Sequence, residues 1–273
     1  MKKYKLFNEA MRSTFGDGFY AKIGLNKAEN YAQELSYATG EKILDYYQGH
    51  GFLISEVIAA TGFKEHKAIL TSRIGEYSCQ VIQVSEPRIL YDKSVLKELD
   101  EYRGLEYLEP TRFICDIIIN GNRKIDCGYN IDGSRLYKSF DPYETIDFLM
   151  YDKKWINKVN FEEIAEFCAK ENQLEFLKYL NKIVTNIDLT KALEIAQSVN
   201  NREIVNYIFQ SDSVYSIIPS LQSSNINIYD KFQLSCKLLK EPIKTIKNIS
   251  AHNKIETEKF PLGRKDYEFT GIR

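Results

Sequence analysis

The apolar and polar positions of this chain follow one pattern up to about residue 153 and another beyond it. In the first part, short β-type runs mix with helical spacings. His50-Gly51-Phe52-Leu53-Ile54-Ser55-Glu56-Val57-Ile58-Ala59 carries β-branched and apolar residues in an almost unbroken run that suits a buried strand. Tyr77–Val84, closed by Glu86-Pro87, predicts another strand, and Arg88–Tyr91 an edge strand after the proline. Thr111–Ile119 reads as a strand ending in an Asn120-Gly121 turn. Phe19–Ile23 reads as a short strand behind Gly16 and Gly18, which flank Asp17 and allow a sharp turn. Ala28, Tyr31, Ala32 and Leu35 fall at i, i+3, i+4 and i+7, so a helix is predicted over 26–38 with Asn26 as its cap.

Further helices are predicted over 40–48, ending at Gly49, and over Val95–Tyr102. Another is predicted from Asp141-Pro142 through Met150, with aspartate at the N-cap and proline in the first turn. Residues 1–13 read as a short helix or arm, and 122–140 as a hairpin-rich connection turning at Asp132-Gly133. The expectation is an α+β domain over 1–152.

From 153 the strand signals stop. Glu163–Ala169, Asn172 and Leu174–Leu180 form one helical hairpin pattern; Lys191–Gln197, Asn200 and Arg202–Ile208 form a second. At an offset of about 28 residues Glu166/Glu194, Phe167/Ile195, Cys168/Ala196, Glu175/Glu203, Phe176/Ile204, Tyr179/Tyr207 and Leu180/Ile208 coincide, which is the signature of a repeat. A small-faced helix, a polar turn and an E-h-h-x-Y-h helix together resemble ankyrin repeats. The period is shorter than the roughly 33 residues of that repeat, and the T-P-L-H opening is absent. The resemblance implies an all-α ankyrin-like helical repeat region over 153–250. A third unit would fall near 215–221 and 229–239, a last helix over 240–254, and 251–273 would be a loose tail.

Charge adds an exclusion: 37 basic against 38 acidic side chains make no electrostatic case for nucleic acid or a membrane surface. Five scattered cysteines without a CxxC pair argue against a disulfide scaffold or a structural zinc site and fit a reducing compartment. His50, His66 and His252 stand apart from any partner at ligand spacing. No apolar run suits a signal sequence or a membrane span, so the expectation is a cytoplasmic protein.

The chemistry is suggested by Gly18-Phe19-Tyr20-Ala21-Lys22 through Asn26-Lys27-Ala28-Glu29-Asn30-Tyr31, and by Gly75-Glu76-Tyr77 followed by Gln83-Val84 and Tyr91. Taken alone, the first segment is a strand–turn–helix corner with two core tyrosines. Together the segments resemble the G-[IF]-Y-F…S-K-S-x-N-Y and N-E-Y…Q-[VI]…Y segments of poly-ADP-ribose polymerases and related ADP-ribosyltransferases, over about residues 15–92. In that family two tyrosines sandwich the nicotinamide ring of NAD, and a glutamate stabilises the cationic transition state. The resemblance implies Tyr20 and Tyr31, with Gly18, as cofactor-binding residues and Glu76 as the catalytic residue. Aromatic faces suit a flat cationic ring, and an anion beside developing positive charge lowers the barrier. The departures are Ala28 where the family has a serine, and the absence of its upstream His-Gly strand before Tyr20. His50-Gly51 opens the later Glu56-Val57 strand instead.

A second resemblance spans more of the chain. Gly18-Phe19-Tyr20, Ser55-Glu56-Val57, Arg112–Ile118, Leu136–Thr145 and the repeats follow one another in the order seen in ankyrin-repeat proteins of giant DNA viruses. It implies a protein–protein interaction protein with a degenerate ADP-ribosyltransferase-like domain, binding a protein partner through its helical repeats and needing no cofactor. The alternative is an active NAD-dependent mono-ADP-ribosyltransferase that modifies a protein target.

Overall fold

In a computed structural model the chain is described over residues 1–14, 19–29, 34–47, 49, 52–68, 74–184 and 187–210. The expectations for 211–273, the third repeat and the tail included, lie outside the described residues. The chain divides into two compact units, Met1–Val159 and Asn160–Arg273.

The first unit is α+β. Its strands are β1 (Lys3–Phe7), β2 (Gly24–Lys27), β3 (Leu35–Thr39), β4 (Leu53–Ala59), β5 (His66–Lys67), β6 (Glu76–Cys79), β7 (Val81–Val84) and β8 (Arg88–Ile89). They form one sheet in the order β2-β7-β4-β1-β3-β6-β5, with β8 added beside β4, and every pairing is antiparallel. The expected arm at the N-terminus is therefore the central strand. Lys3-Tyr4-Lys5-Leu6-Phe7 looks polar as a string, yet everything from Tyr4 to Phe7 is buried once β3 and β4 flank it.

Three other expectations in this part need correction. The predicted 26–38 helix is bounded by strands, β2 at its start and β3 at its end. Asn26 caps no helix: its amide donates to the carbonyls of Lys22 and Gly24 and its oxygen accepts from the Lys22 N–H, which closes a turn at the head of β2. The predicted strand over 19–23 reduces to a single bridge between Tyr20 and Arg12, and the 40–48 helix to a 3₁₀ turn over Ile43–Tyr46.

Tyr77–Val84 is strand-like as expected, but it is two strands. The residues of β6 pair with β3, whereas those of β7 pair with both β2 and β4. Following the register through β3, β1 and β4 puts Cys79 and Val84 on the same face, so one extra residue is taken up at Gln80. The Gln80 carbonyl accepts the Ala28 N–H at 2.9 Å, which ties the corner to the strand beside it.

The helices follow. α1 (Lys93–Glu101) is capped by Asp92 and buries Val95, Leu96 and Leu99. α2 (Pro110–Gly121) replaces the predicted strand over 111–119; Glu109 caps it through the N–H groups of Thr111 and Arg112. A hairpin of β9 (Ile125–Tyr129) and β10 (Arg135–Lys138) matches the expected connection. α3 (Pro142–Asp147) has the expected Asp141 cap and runs into a π-turn over Phe148–Asp152. Trp155 closes the core edge-on against Phe113, with ring centres 6.0 Å apart.

The second unit is helical over its described length, with α4 (Phe161–Lys170), α5 (Leu174–Ile183), α6 (Thr190–Ser198) and α7 (Arg202–Gln210). α4 pairs with α5 and α6 with α7, while α4 packs against α6. The small residues of the first helix in each hairpin, Ala165, Cys168 and Ala169 in α4 and Ala192 and Ala196 in α6, are buried and permit a close approach.

Candidate functional site

The four residues singled out by sequence are only partly placed. Gly18 and Tyr31 lie outside the described residues. Tyr20 is 64% exposed, and its ring lies 5.8 Å from the Arg12 guanidinium. Glu76 opens β6, opposite Ala38 of β3, which in turn stands opposite Tyr4 near the start of β1. The Tyr20–Arg12 bridge belongs with the other end of β1, where Phe7 bridges Ser13. Two strand spacings, about 10 Å, and three residues along the strand, about another 10 Å, separate the two positions. Tyr20 and Glu76 are not brought together.

A different group occupies the β3–β6–β5 edge. Tyr37 and Tyr77 are register partners, and their rings stack at 6.2 Å with an 11° tilt. The Lys3 ammonium sits 3.8 Å over the Tyr77 ring and 2.5 Å from the Glu65 carboxylate, which also accepts the Tyr37 hydroxyl. Burial, then the Glu65 carboxylate, push the Tyr37 phenol far above its ordinary range, so at neutral pH it serves as a donor. On the opposite face of β6 the Ser78 hydroxyl donates to Glu34, and His66 Nδ1 lies 3.3 Å from the same carboxylate.

Serine, histidine and glutamate thus meet, but the carboxylate stands between the other two. A nucleophile relay needs the imidazole to take the serine proton, with the acid behind it. Here the serine donates to the acid and the imidazole lies on the acid's other oxygen, an arrangement that fastens the two-residue β5 to the sheet. Register alone assembles this edge from Glu34, His66 and Ser78, so no spacing within the sequence signals it. Among the described residues no group of three His, Cys, Asp or Glu is placed to hold a metal ion, and no helix is long and apolar enough to cross a membrane.

The second unit offers a repeated surface. Both hairpins turn through an asparagine in the left-handed region, Asn172 at φ 55° and Asn200 at φ 57°. Two closing hydrogen bonds recur: Glu171 N–H to Phe167 O and Gln173 N–H to Cys168 O in the first, Val199 N–H to Ile195 O and Asn201 N–H to Ala196 O in the second. These are the closures that end a helix when one residue turns left-handed. The turns are joined by the Asn201 amide donating to Asn172 Oδ1 at 2.7 Å, and α5 to α7 by the Asn181 amide donating to Tyr207 Oη at 2.8 Å. No protein-family model, no curated protein and no solved structure matches the chain.

Proposed function

We propose that this chain is a protein–protein interaction protein whose helical unit is an ankyrin-type pair of repeats, presenting its polar surface to a protein partner. The observation that supports this reading is the repetition of one hairpin, turn included, with its small-residue helix packed on that of its neighbour. Units stacked this way extend a surface by adding copies, so recognition needs side chains on exposed faces rather than an enclosed pocket. Exposed positions recur at the repeat offset, with Glu175 matched by Glu203 and Asn172 by Asn200, and the second turn adds Val199, an exposed apolar side chain.

The test uses the full chain as bait, beside a variant changed at Glu175, Glu194, Val199 and Glu203 whose circular dichroism is unaltered. A partner held by the wild type should be lost from the variant; equal retention by both would remove the repeats from the function. The transferase alternative rests on Gly18, Tyr20, Tyr31 and Glu76; of these, Tyr20 lies near the Phe7 end of β1 and Glu76 lies two strands away, level with Tyr4. NAD hydrolysis that disappears in Glu76→Ala would nevertheless replace the present reading with it.

A further inference from the structure

The hairpin of β9 and β10 is a sheet of two strands, and among the described residues β10 pairs with β9 alone. What its other edge presents follows from the turn. The Asn130 N–H donates to the Ser134 carbonyl at 2.8 Å, so Ser134 aims its backbone groups inward at β9. Arg135 opposes Tyr129 and Tyr137 opposes Asp126, which puts the bulge in β9 and leaves β10 regular. Backbone direction alternates along a regular strand, so Leu136 and Lys138 also point inward, and Arg135 and Tyr137 turn their N–H and C=O groups outward. Open edges are ordinarily guarded by proline or by charge. β10 has no proline, and each of its cations is already paired on its own chain, Arg135 with Asp126 and Lys138 with Glu86. Tyr129, Arg135 and Tyr137 are exposed, with the Arg135 guanidinium 4.7 Å from the centre of the Tyr129 ring.

We propose that β10 pairs antiparallel with β10 of a second copy of this chain, across a two-fold axis at Leu136, to make a four-stranded sheet. Outward groups must meet outward groups, and this axis sets Arg135 opposite Tyr137 of the other copy. The two residues exchange both backbone hydrogen bonds, and the symmetric pair does the same, four bonds in all. Each guanidinium then lies between Tyr129 of its own hairpin and Tyr137 of the other, and no like charges face one another across the axis. On the reverse face the half-buried Leu136 meets its own copy as a non-hydrogen-bonded pair, with Cα atoms about 4.5 Å apart. An axis at Tyr137 would instead set Arg135 against Ser139, beyond the end of β10. The strand is thus its own complement, which singles out a second copy over a foreign peptide. A single strand edge with its flanks is smaller than a permanent dimer needs, so the association depends on concentration.

The test uses the full-length chain. Sedimentation of the wild type over a concentration series should show a monomer–dimer equilibrium. Leu136→Lys and Leu136→Glu should each weaken it roughly tenfold or more by setting like charges face to face, and an equimolar mixture of the two should restore it. Tyr137→Pro removes an outward N–H that the hairpin itself does not use, and should weaken the dimer as well. Leu136→Cys should cross-link to its copy under copper–phenanthroline oxidation, since its Cα separation is one that a disulfide spans, whereas Tyr129→Cys, on the outer strand, should not. A wild type that stays monomeric at every concentration, with no cross-link through Leu136→Cys, would overturn the proposal. So would a dimer indifferent to both charged variants, or a mixture that associates no more tightly than its parents. A monomer whose β10 edge is taken by an extended segment of another protein would overturn it too.

Discussion

Glu98 of α1 receives three donors at once. Its Oε1 accepts from Lys2 Nζ at 2.8 Å and from Tyr4 Oη at 2.5 Å, and its Oε2 accepts from Arg88 at 2.6 Å. The carboxylate thereby holds the central strand and the short β8 against the helix. Burial by itself would raise its pKa; the hydrogen bonds from Lys2, Tyr4 and Arg88 and the charge of Arg88 outweigh it and bring the group from an ordinary 4.5 down to about 2. A folded-state pKa below the unfolded one means stability that is fully present above about pH 4.5 and is lost as pH falls through about 2. At 1.36 kcal/mol per unit the ceiling is about 3 kcal/mol. Urea unfolding of the wild type and Glu98→Gln should differ by about 2–3 kcal/mol at pH 7, and the gap should narrow steadily below pH 4. A gap that is independent of pH would mean that the charge of Glu98 is not what the three donors hold.

The two hairpin turns allow a cleaner contrast at the scale of the element. Left-handed backbone costs an L residue with a Cβ roughly 1–2 kcal/mol, which asparagine tolerates better than most and glycine avoids. Asn200→Gly should therefore leave the thermal stability of the helical unit within about 0.5 kcal/mol or raise it, while Asn200→Val should lower it by about 1–2 kcal/mol. The same pair at Asn172 should show an added loss in both variants, since its Oδ1 accepts from Asn201. These turns were legible in advance because asparagine, helical spacing and offset all repeat together. α2 was not, and the reason is instructive. Ile114, Ile117, Ile118 and Ile119 crowd β-branched residues into a short run, so propensity argues for a strand. Yet the large apolar side chains buried are Phe113, Ile114, Ile117 and Ile118, a helical i, i+1, i+4, i+5 pattern, while Ile119 is exposed, and Glu109-Pro110 ahead of them is a helix start. In the 26–38 stretch the error runs the other way: a helical spacing of apolar residues ends in the strand Leu35–Thr39, which buries Leu35, Tyr37 and Thr39 on one face and Ala38 on the other. The Ser78–Glu34–His66 group could not be read at all, since its members meet only through sheet pairing.

Each unit has a core of its own, and this has a measurable consequence for the whole molecule. The N-terminal core centres on Tyr4, Leu6, Ile54, Leu96, Phe113 and Ile117, whereas Ile164, Cys168, Leu177, Leu193, Ala196 and Ile204 are buried among the helices of the second unit. The single tryptophan of the chain, Trp155, is buried beside Phe113 and reports on the first core. Far-ultraviolet circular dichroism registers α4–α7 strongly as well. Ala196 is fully buried on the small-residue helix of its hairpin, and Ala196→Phe should cost about 1–3 kcal/mol or more by overpacking. For a unit of this size that corresponds to a fall of at least about 5 °C in melting temperature. The variant should show the fall in its helical signal, while the midpoint of Trp155 emission stays where it is in the wild type. Noncoincident transitions of this kind are the accepted departure from two-state unfolding, and they would show that packing among the helices α4–α7 is energetically self-contained. If both signals moved together by the same amount, the two cores would be one cooperative structure, and a substitution meant to probe the helical unit would also perturb the sheet.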